Sequence, residues 1–223
     1  MAGRLVIVTG TGTGIGKTHV SEALLRALSD SFRRVTGLKP VETGVGGSER
    51  SDRERLESAS SFHVKQSGYL FAQPVSPHLA ARESAQTIEA GVLQSTVDRV
   101  REQADLTLVE LAGGLFTPLS PCMLNVDVVR SLHADFVLLV APDRLGVLHD
   151  VLVATSAAAS SGVTFSAIAL VAPEVADSST SRNMLELHMF LSNASIHELP
   201  RAAVSDLVTH PALLALAREI LPV

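Results

Sequence analysis

The stretch LVIVTGTGTGIGKT, Leu5 to Thr18, couples a buried strand to a loop suited to gripping phosphate. Leu5, Val6, Ile7 and Val8 are consecutive apolar residues, mostly β-branched, the pattern of a parallel strand covered on both faces. Gly10, Gly12, Gly14 and Gly16 follow, then Lys17 and Thr18. Glycine lets backbone N–H groups turn inward around an anion, because no Cβ blocks the approach. Lys17 would neutralise β- and γ-phosphate charge, and the Thr18 hydroxyl would ligate magnesium. Helix-compatible residues from His19 to Leu28 also put the phosphates at a helix N-terminus. The usual spacing leaves four residues between a first glycine and the Gly-Lys pair. Here that first position is Thr11, and Gly10 lies one residue further back. The loop is a variant in a correct strand–loop–helix setting, and it implies a bound nucleoside triphosphate.

Working outward, 223 residues suit one domain over 1–223, long enough to bury a substantial core. Nearly half the residues are hydrophobic and 18% are charged, a globular composition. The formal charge of −5, with no basic cluster beyond Arg33-Arg34, argues against a nucleic-acid partner. The single cysteine, Cys122, excludes an internal disulfide and a cysteine-only zinc site, and reads as a buried or half-buried small residue. A strand begins almost at Met1, so no signal peptide is expected. Apolar runs such as Phe136 to Pro142 are too short to span a bilayer. The expectation is a soluble, cytoplasmic protein.

Strand-like runs recur at Leu5–Thr9, Arg34–Val41, Leu106–Glu110, Phe136–Ala141, Phe165–Val171 and Ser195–Leu199. Helix-like stretches alternate with them at His19–Leu28, Thr87–Gln103, Asn125–Leu132, Leu148–Ser160, Ser181–Leu191 and Ala212–Ile220. This alternation predicts an α/β fold, a mainly parallel sheet with helices on both faces, of the P-loop nucleotide-binding kind. Ligands in such sheets bind outside the carboxyl ends of the strands. The interval Glu42 to Ala85 reads as an elaborated crossover with short helices near Asp52–Ser60 and Ser76–Arg82.

Chemical groups fall at those strand ends. Lys39, Glu42 and Thr43 close the second strand, and Lys39 is either a second cation for phosphoryl transfer or a snorkelling lysine. Asp52 in RSDRERL is a magnesium ligand or, with Ser51, a helix cap. Glu110 ends the hydrophobic strand LTLVE, where a buried carboxylate needs a cation: a metal, or an arginine. Gly146, Val147, Leu148 and His149 open a helix whose free N–H groups suit a carboxylate. His149 is otherwise an ordinary cap or surface histidine.

Together these residues resemble the dethiobiotin synthetase family, from Leu5 to about Ala157. The markers are TGTGTGIGKT, KPVETG, SDRERL, FAQPVSPHLAA, VELAGGLFTPL and LGVLHD, all in order. The resemblance implies an ATP-dependent cyclo-ligase of biotin biosynthesis that converts 7,8-diaminononanoate, carbon dioxide and ATP to dethiobiotin, ADP and phosphate. A carbamate forms on one amine, the γ-phosphate activates it as a carbamic–phosphoric anhydride, and the second amine closes the ureido ring. It implies that Gly14, Ile15, Gly16, Lys17, Thr18 and His19 cradle the phosphates, with Asp52, Glu110 and Gly113 also in the ATP set. Lys17 and Lys39 would be catalytic, and Thr18, Asp52 and Glu110 would hold magnesium. Thr11 and Thr43 would lie at the substrate. The family is a homodimer in which Gly146, Val147, Leu148 and His149 of one copy would receive the substrate carboxylate of the other.

Four departures from the family pattern stand near the site. Gly12 replaces a frequent Asp. Leu111 replaces the first glycine of EGAGG and is expected to resist positive φ and crowd the ligand. His149-Asp150 replaces Asn-His, and Asp150 is expected to repel a carboxylate. Ala172-Pro173 replaces an Asn-Asp pair that recognises adenine. These changes leave open a paralogue acting on another small carboxylate, or a non-catalytic nucleotide-binding module. Partition-type ATPase switches usually carry a lysine five residues before the loop lysine; here that position is Gly12.

Overall fold

Leu5 and Ile7 point to one side of the first strand and Val6 and Val8 to the other, and all four are fully buried. The computed structural model, which describes residues 2–47 and 50–222, shows why. In chain order the strands are β1 (Arg4–Gly10), β2 (Val35–Leu38), β3 (Val41–Thr43), β4 (Tyr69–Phe71) and β5 (Leu106–Glu110). Then come β6 (Pro118–Ser120), β7 (Met123–Leu124), β8 (Phe136–Pro142), β9 (Ala167–Val171) and β10 (Ile196–Leu199). A six-stranded sheet of order β10-β9-β8-β1-β5-β2 is parallel throughout, with β1 near its middle.

The helices are α1 (Lys17–Leu28), α2 (Asp52–Ala59), α3 (Pro77–Glu83), α4 (Ala90–Arg101) and α5 (Asn125–Leu132). They continue with α6 (Val147–Ser160), α7 (Asn183–Phe190), α8 (Val204–Leu207) and α9 (Pro211–Ile220). Val6, Val8, Leu106 and Leu108 pack on one face with α1, α2 and α9. Leu5, Ile7 and Val109 pack on the other with α4 and α5, while Leu139 and Ile168 meet α6 and α7. The two-residue alternation of each strand thus supplies both cores.

The expected strand Arg34–Val41 divides. Pro40 has no N–H to donate and restricts Lys39 before it, so β2 ends at Leu38. The chain then leaves the sheet, and β3 pairs instead with β4. A small antiparallel pair, β6 and β7, adds a second element absent from the sequence reading. Its turn holds Cys122 exposed, contrary to the buried or half-buried position expected.

Gly37 shows how tightly α1 and α2 seat on β2. A Cβ there would lie 2.6 Å from Leu25 Cδ1 and 3.0 Å from Leu56 Cβ. Gly37→Ala should therefore destabilise the fold by about 1–3 kcal/mol through overpacking. Urea unfolding with an unchanged slope and a lowered midpoint would show it.

Candidate functional site

Strand register brings the first two charged groups together. β2 and β5 pair with Leu38 opposite Val109, so Lys39 and Glu110 leave the sheet side by side. Leu38 and Val109 both enter the α4–α5 core, and alternation turns the next residues toward α1. Glu110 is fully buried. Its Oε1 accepts from Thr18 Oγ1 at 2.8 Å and from Lys39 Nζ at 2.7 Å, and its Oε2 accepts from Ser21 Oγ at 2.8 Å. The Lys39 ammonium also bridges to Asp52 Oδ2.

This arrangement shows how these side chains are held in the folded chain. Lys39 is 5% exposed and does not snorkel. Ser51 is the cap of α2, in a capping box with Glu54, which leaves the Asp52 carboxylate free to meet Lys39. The cation beside Glu110 is Lys39, not an arginine. Burial acts to lower the Lys39 pKa, but the Glu110 and Asp52 carboxylates outweigh it and hold it raised. For Asp52 burial acts upward, and Lys39 pulls the net value down. Both groups therefore keep their charge at neutral pH.

In the loop, Gly14 and Gly16 take φ values of 70° and 96°, left-handed geometry that a side chain would strain. Lys17 Nζ donates to Gly12 O at 2.7 Å. Burial pulls the Lys17 pKa down to about 8, against the opposing pull of Glu110. His19 is half-buried, its pKa lowered by burial, and its Nε2 is buried without a hydrogen-bond partner. A Cβ at Gly12 would meet only Ile15 Cγ2, at 3.8 Å, so a larger residue would also fit there.

One cavity of about 1340 Å³ collects these groups. Gly14, Ile15, Gly16, Lys17, Thr18, His19, Lys39, Thr43, Asp52, Glu110 and Gly113 all line it. Thr11 does not; its N–H is donated to Val140 O. Gly146, Val147, Leu148 and His149 also lie outside the lining: Val147 is buried, and Gly146 and His149 are exposed at the start of α6. Sequence reasoning passed over Ser21 and Arg55. Ser21 lies three residues after Thr18, so one helical face presents both hydroxyls to Glu110, a spacing visible in the sequence. Arg55 lines the cavity and pairs with Glu22 at 2.6 Å.

Leu111 does not crowd the cavity. Its backbone avoids positive φ and its side chain packs into the α4–α5 core. The Asp150 charge is met by Arg144 at 3.4 Å. Pro142, Val171, Ala172, Pro173, Arg201 and Ala202 also line the cavity, so the chain past Val171 contributes to its wall.

Thr18, Asp52 and Glu110 fit magnesium by their chemistry: hard oxygens around a spot that already holds a positive charge, that of Lys39. Among the described residues no three His, Cys, Asp or Glu side chains cluster as a metal cage. Such a site suits an ion that keeps waters and takes phosphate oxygens.

A family model described as an AAA domain matches residues 4–206. ATP-dependent dethiobiotin synthetase BioD 1 of Escherichia coli O157:H7 is 36% identical over 164 residues, covering 70% of this chain and 72% of that protein. BioD of Ralstonia nicotianae is 38% identical over 163 residues, 70% of this chain and 71% of that one. The chain belongs to the dethiobiotin synthetase family. Solved structures show the P-loop fold more widely. A chain of the MinC:MinD cell division protein complex of Aquifex aeolicus matches with TM-score 0.61 at 14% identity, covering 99% of this chain and 98% of that one. The cell division ATPase MinD of Pyrococcus furiosus gives 0.58 at 17%, with 98% of each chain covered. That likeness is one of fold alone. Among the described residues, no helix is long and apolar enough to cross a membrane.

The Lys17 ammonium should titrate near pH 8 in the nucleotide-free protein. Bound triphosphate adds negative charge beside it and should move the midpoint upward. Because the folded value lies below the unfolded one, Lys17 should make the protein more stable as pH rises from about 8 toward the unfolded value. A ¹³C NMR titration of the lysine ε-carbons, with and without ATP, measures the midpoint directly.

Proposed function

We infer that the protein is an ATP-dependent dethiobiotin synthetase of biotin biosynthesis, joining 7,8-diaminononanoate and carbon dioxide into the ureido ring of dethiobiotin. The observation that carries this reading is the buried Lys39 bridge between Asp52 and Glu110, beside the phosphate loop, in a chain of this family. The chemistry requires no nucleophilic side chain, since the substrate amine and its carbamate are the nucleophiles. It requires fixed positive charge around anionic oxygens and a cavity that orients them.

Each side chain then has a task. Backbone N–H groups from Gly14 to His19 take phosphate oxygens at the start of α1. Lys17 exchanges its bond to Gly12 O for the β- and γ-phosphates. Lys39 stabilises the carbamate and the transferring phosphoryl group, a role supported by its place in the cavity lining, and Ser21 donates to Glu110. Thr18, Asp52 and Glu110 hold magnesium, which neutralises phosphate charge when bound. Thr43 and Gly113 line the cavity; on this reading Thr43 bonds to the substrate and Gly113 to the nucleotide.

The substrate carboxylate is received by a second copy of this chain. The α6 start lies outside its own subunit's cavity, and Leu145, Val153, Leu185 and Met189 on and beside α6 and α7 are exposed apolar residues that a homodimer would cover. Residues 1–223 act as one unit, and the reaction takes place in the cytoplasm. Thr11, bonded away from the cavity, supports the loop and acts on substrate only indirectly.

Incubation with 7,8-diaminononanoate, bicarbonate, magnesium and ATP should yield dethiobiotin by mass spectrometry. Bound nucleotide without product would favour a paralogue acting on another carboxylate. Lys39→Ala and Glu110→Ala should each abolish turnover and, by leaving a buried charge without its partner, cost about 3–5 kcal/mol of stability. Near-normal turnover in either variant refutes its role.

A further inference from the structure

Among the described residues, Glu42 carries the one buried carboxylate of the cavity lining that no task above employs. It is buried, at 5% exposure, on β3. Its Oε1 accepts the Asp52 N–H at 2.6 Å and its Oε2 accepts the Arg53 N–H at 3.2 Å. These are the first two N–H groups of α2, which the helix itself cannot satisfy. Arg53 in turn donates from Nη2 to the Lys39 backbone O at 2.9 Å, while the Asp52 side chain meets the Lys39 ammonium. The contacts close a ring: Lys39 leads through Pro40 and Val41 to Glu42, then to Asp52 and Arg53, and back to both ends of Lys39.

Two features show that α2 depends on this anchor. It has eight residues, too few to be stable alone, and only Leu56 and Ala59 are buried along it. Those two sit at its C-terminal half and set its distance from the sheet, not the placing of its first turn. The capping box of Ser51 and Glu54 closes the helix on itself without tying it to the site. Glu42 supplies that tie. Both of its oxygens are taken up by the Asp52 and Arg53 N–H groups, so it acts on the helix start and not on the cavity directly.

We propose that Glu42 is a positioning residue for the reaction centre, fixing the Asp52 carboxylate and the Lys39 ammonium through the start of α2. The proposal rests on the reading of Asp52 as a magnesium ligand. Removing the carboxylate leaves two helix donors unpaired and lets the first turn drift, so the defect should fall on metal binding and on kcat, not on the nucleotide loop. Supporting hydrogen-bond partners of metal ligands typically carry about 10–100-fold in metal affinity or activity.

The test uses the full-length protein with ADP and manganese, read by electron paramagnetic resonance. Glu42→Ala should weaken nucleotide-dependent manganese binding by about 10–100-fold, lower kcat, and leave metal-free ADP affinity and the KM for ATP close to wild type. Glu42→Gln keeps one acceptor oxygen and nearly the same shape, so it should fold normally and fall between the two. A purely structural role would lower the unfolding midpoint and leave manganese affinity of the folded protein unchanged. Wild-type manganese affinity in both variants overturns the proposal alone. Absence of nucleotide-dependent manganese binding in the wild type overturns the reading of the metal site, and the proposal with it.

Discussion

A lysine and a glutamate placed side by side at the ends of two neighbouring parallel strands organise this molecule. Neither Lys39 nor Glu110 would be tolerable in that position alone, because an unpaired buried charge is costly. Glu110 helps hold Lys39 charged, and it has oxygen left for Thr18 and Ser21 while Lys39 has donors left for Asp52. The phosphate loop, the first helix and the crossover helix are thereby tied to one point at the rim of the sheet.

The same pairing explains why a fold shared with cell-division ATPases can serve ring closure. The P-loop fold offers a strand end, a glycine loop and a helix N-terminus to any triphosphate. On the proposed reading, a second cation beside Lys17 directs the phosphoryl group toward a carbamate, and Lys39, just past the end of β2, lines the same cavity. In this chain a glycine stands at position 12, where the partition switches carry their extra loop lysine, and Lys39 follows β2, two strands across the sheet from β1.

Much of this was legible in the sequence, and the misses have physical causes. The boundaries of β5 and α5 coincide with the runs Leu106–Glu110 and Asn125–Leu132, because strong local patterns meet clear turn signals there. The run Arg34–Val41 is longer than the strand it forms, Val35–Leu38, since the pattern counts apolar Val41 and overlooks the missing N–H of Pro40. Leu111 was expected to crowd the ligand, but the last alternation of the strand turns it into the core. The contacts of Ser21 and Glu42 escaped for a different reason. Ser21 meets Glu110 across 89 positions, and Glu42 acts on backbone N–H groups whose location no side-chain motif encodes. The α6 start, legible as a helix N-terminus, lies away from the cavity in a single copy, and no local pattern states which copy it serves.

The most direct measurement is a crystal structure with manganese and a non-hydrolysable ATP analogue, reading the anomalous signal of the metal. The account requires a manganese peak among Thr18, Asp52 and Glu110, with the Lys17 and Lys39 ammonium groups against the triphosphate. A metal bound elsewhere, or a triphosphate that leaves Lys39 turned away from its γ-phosphate, would contradict it.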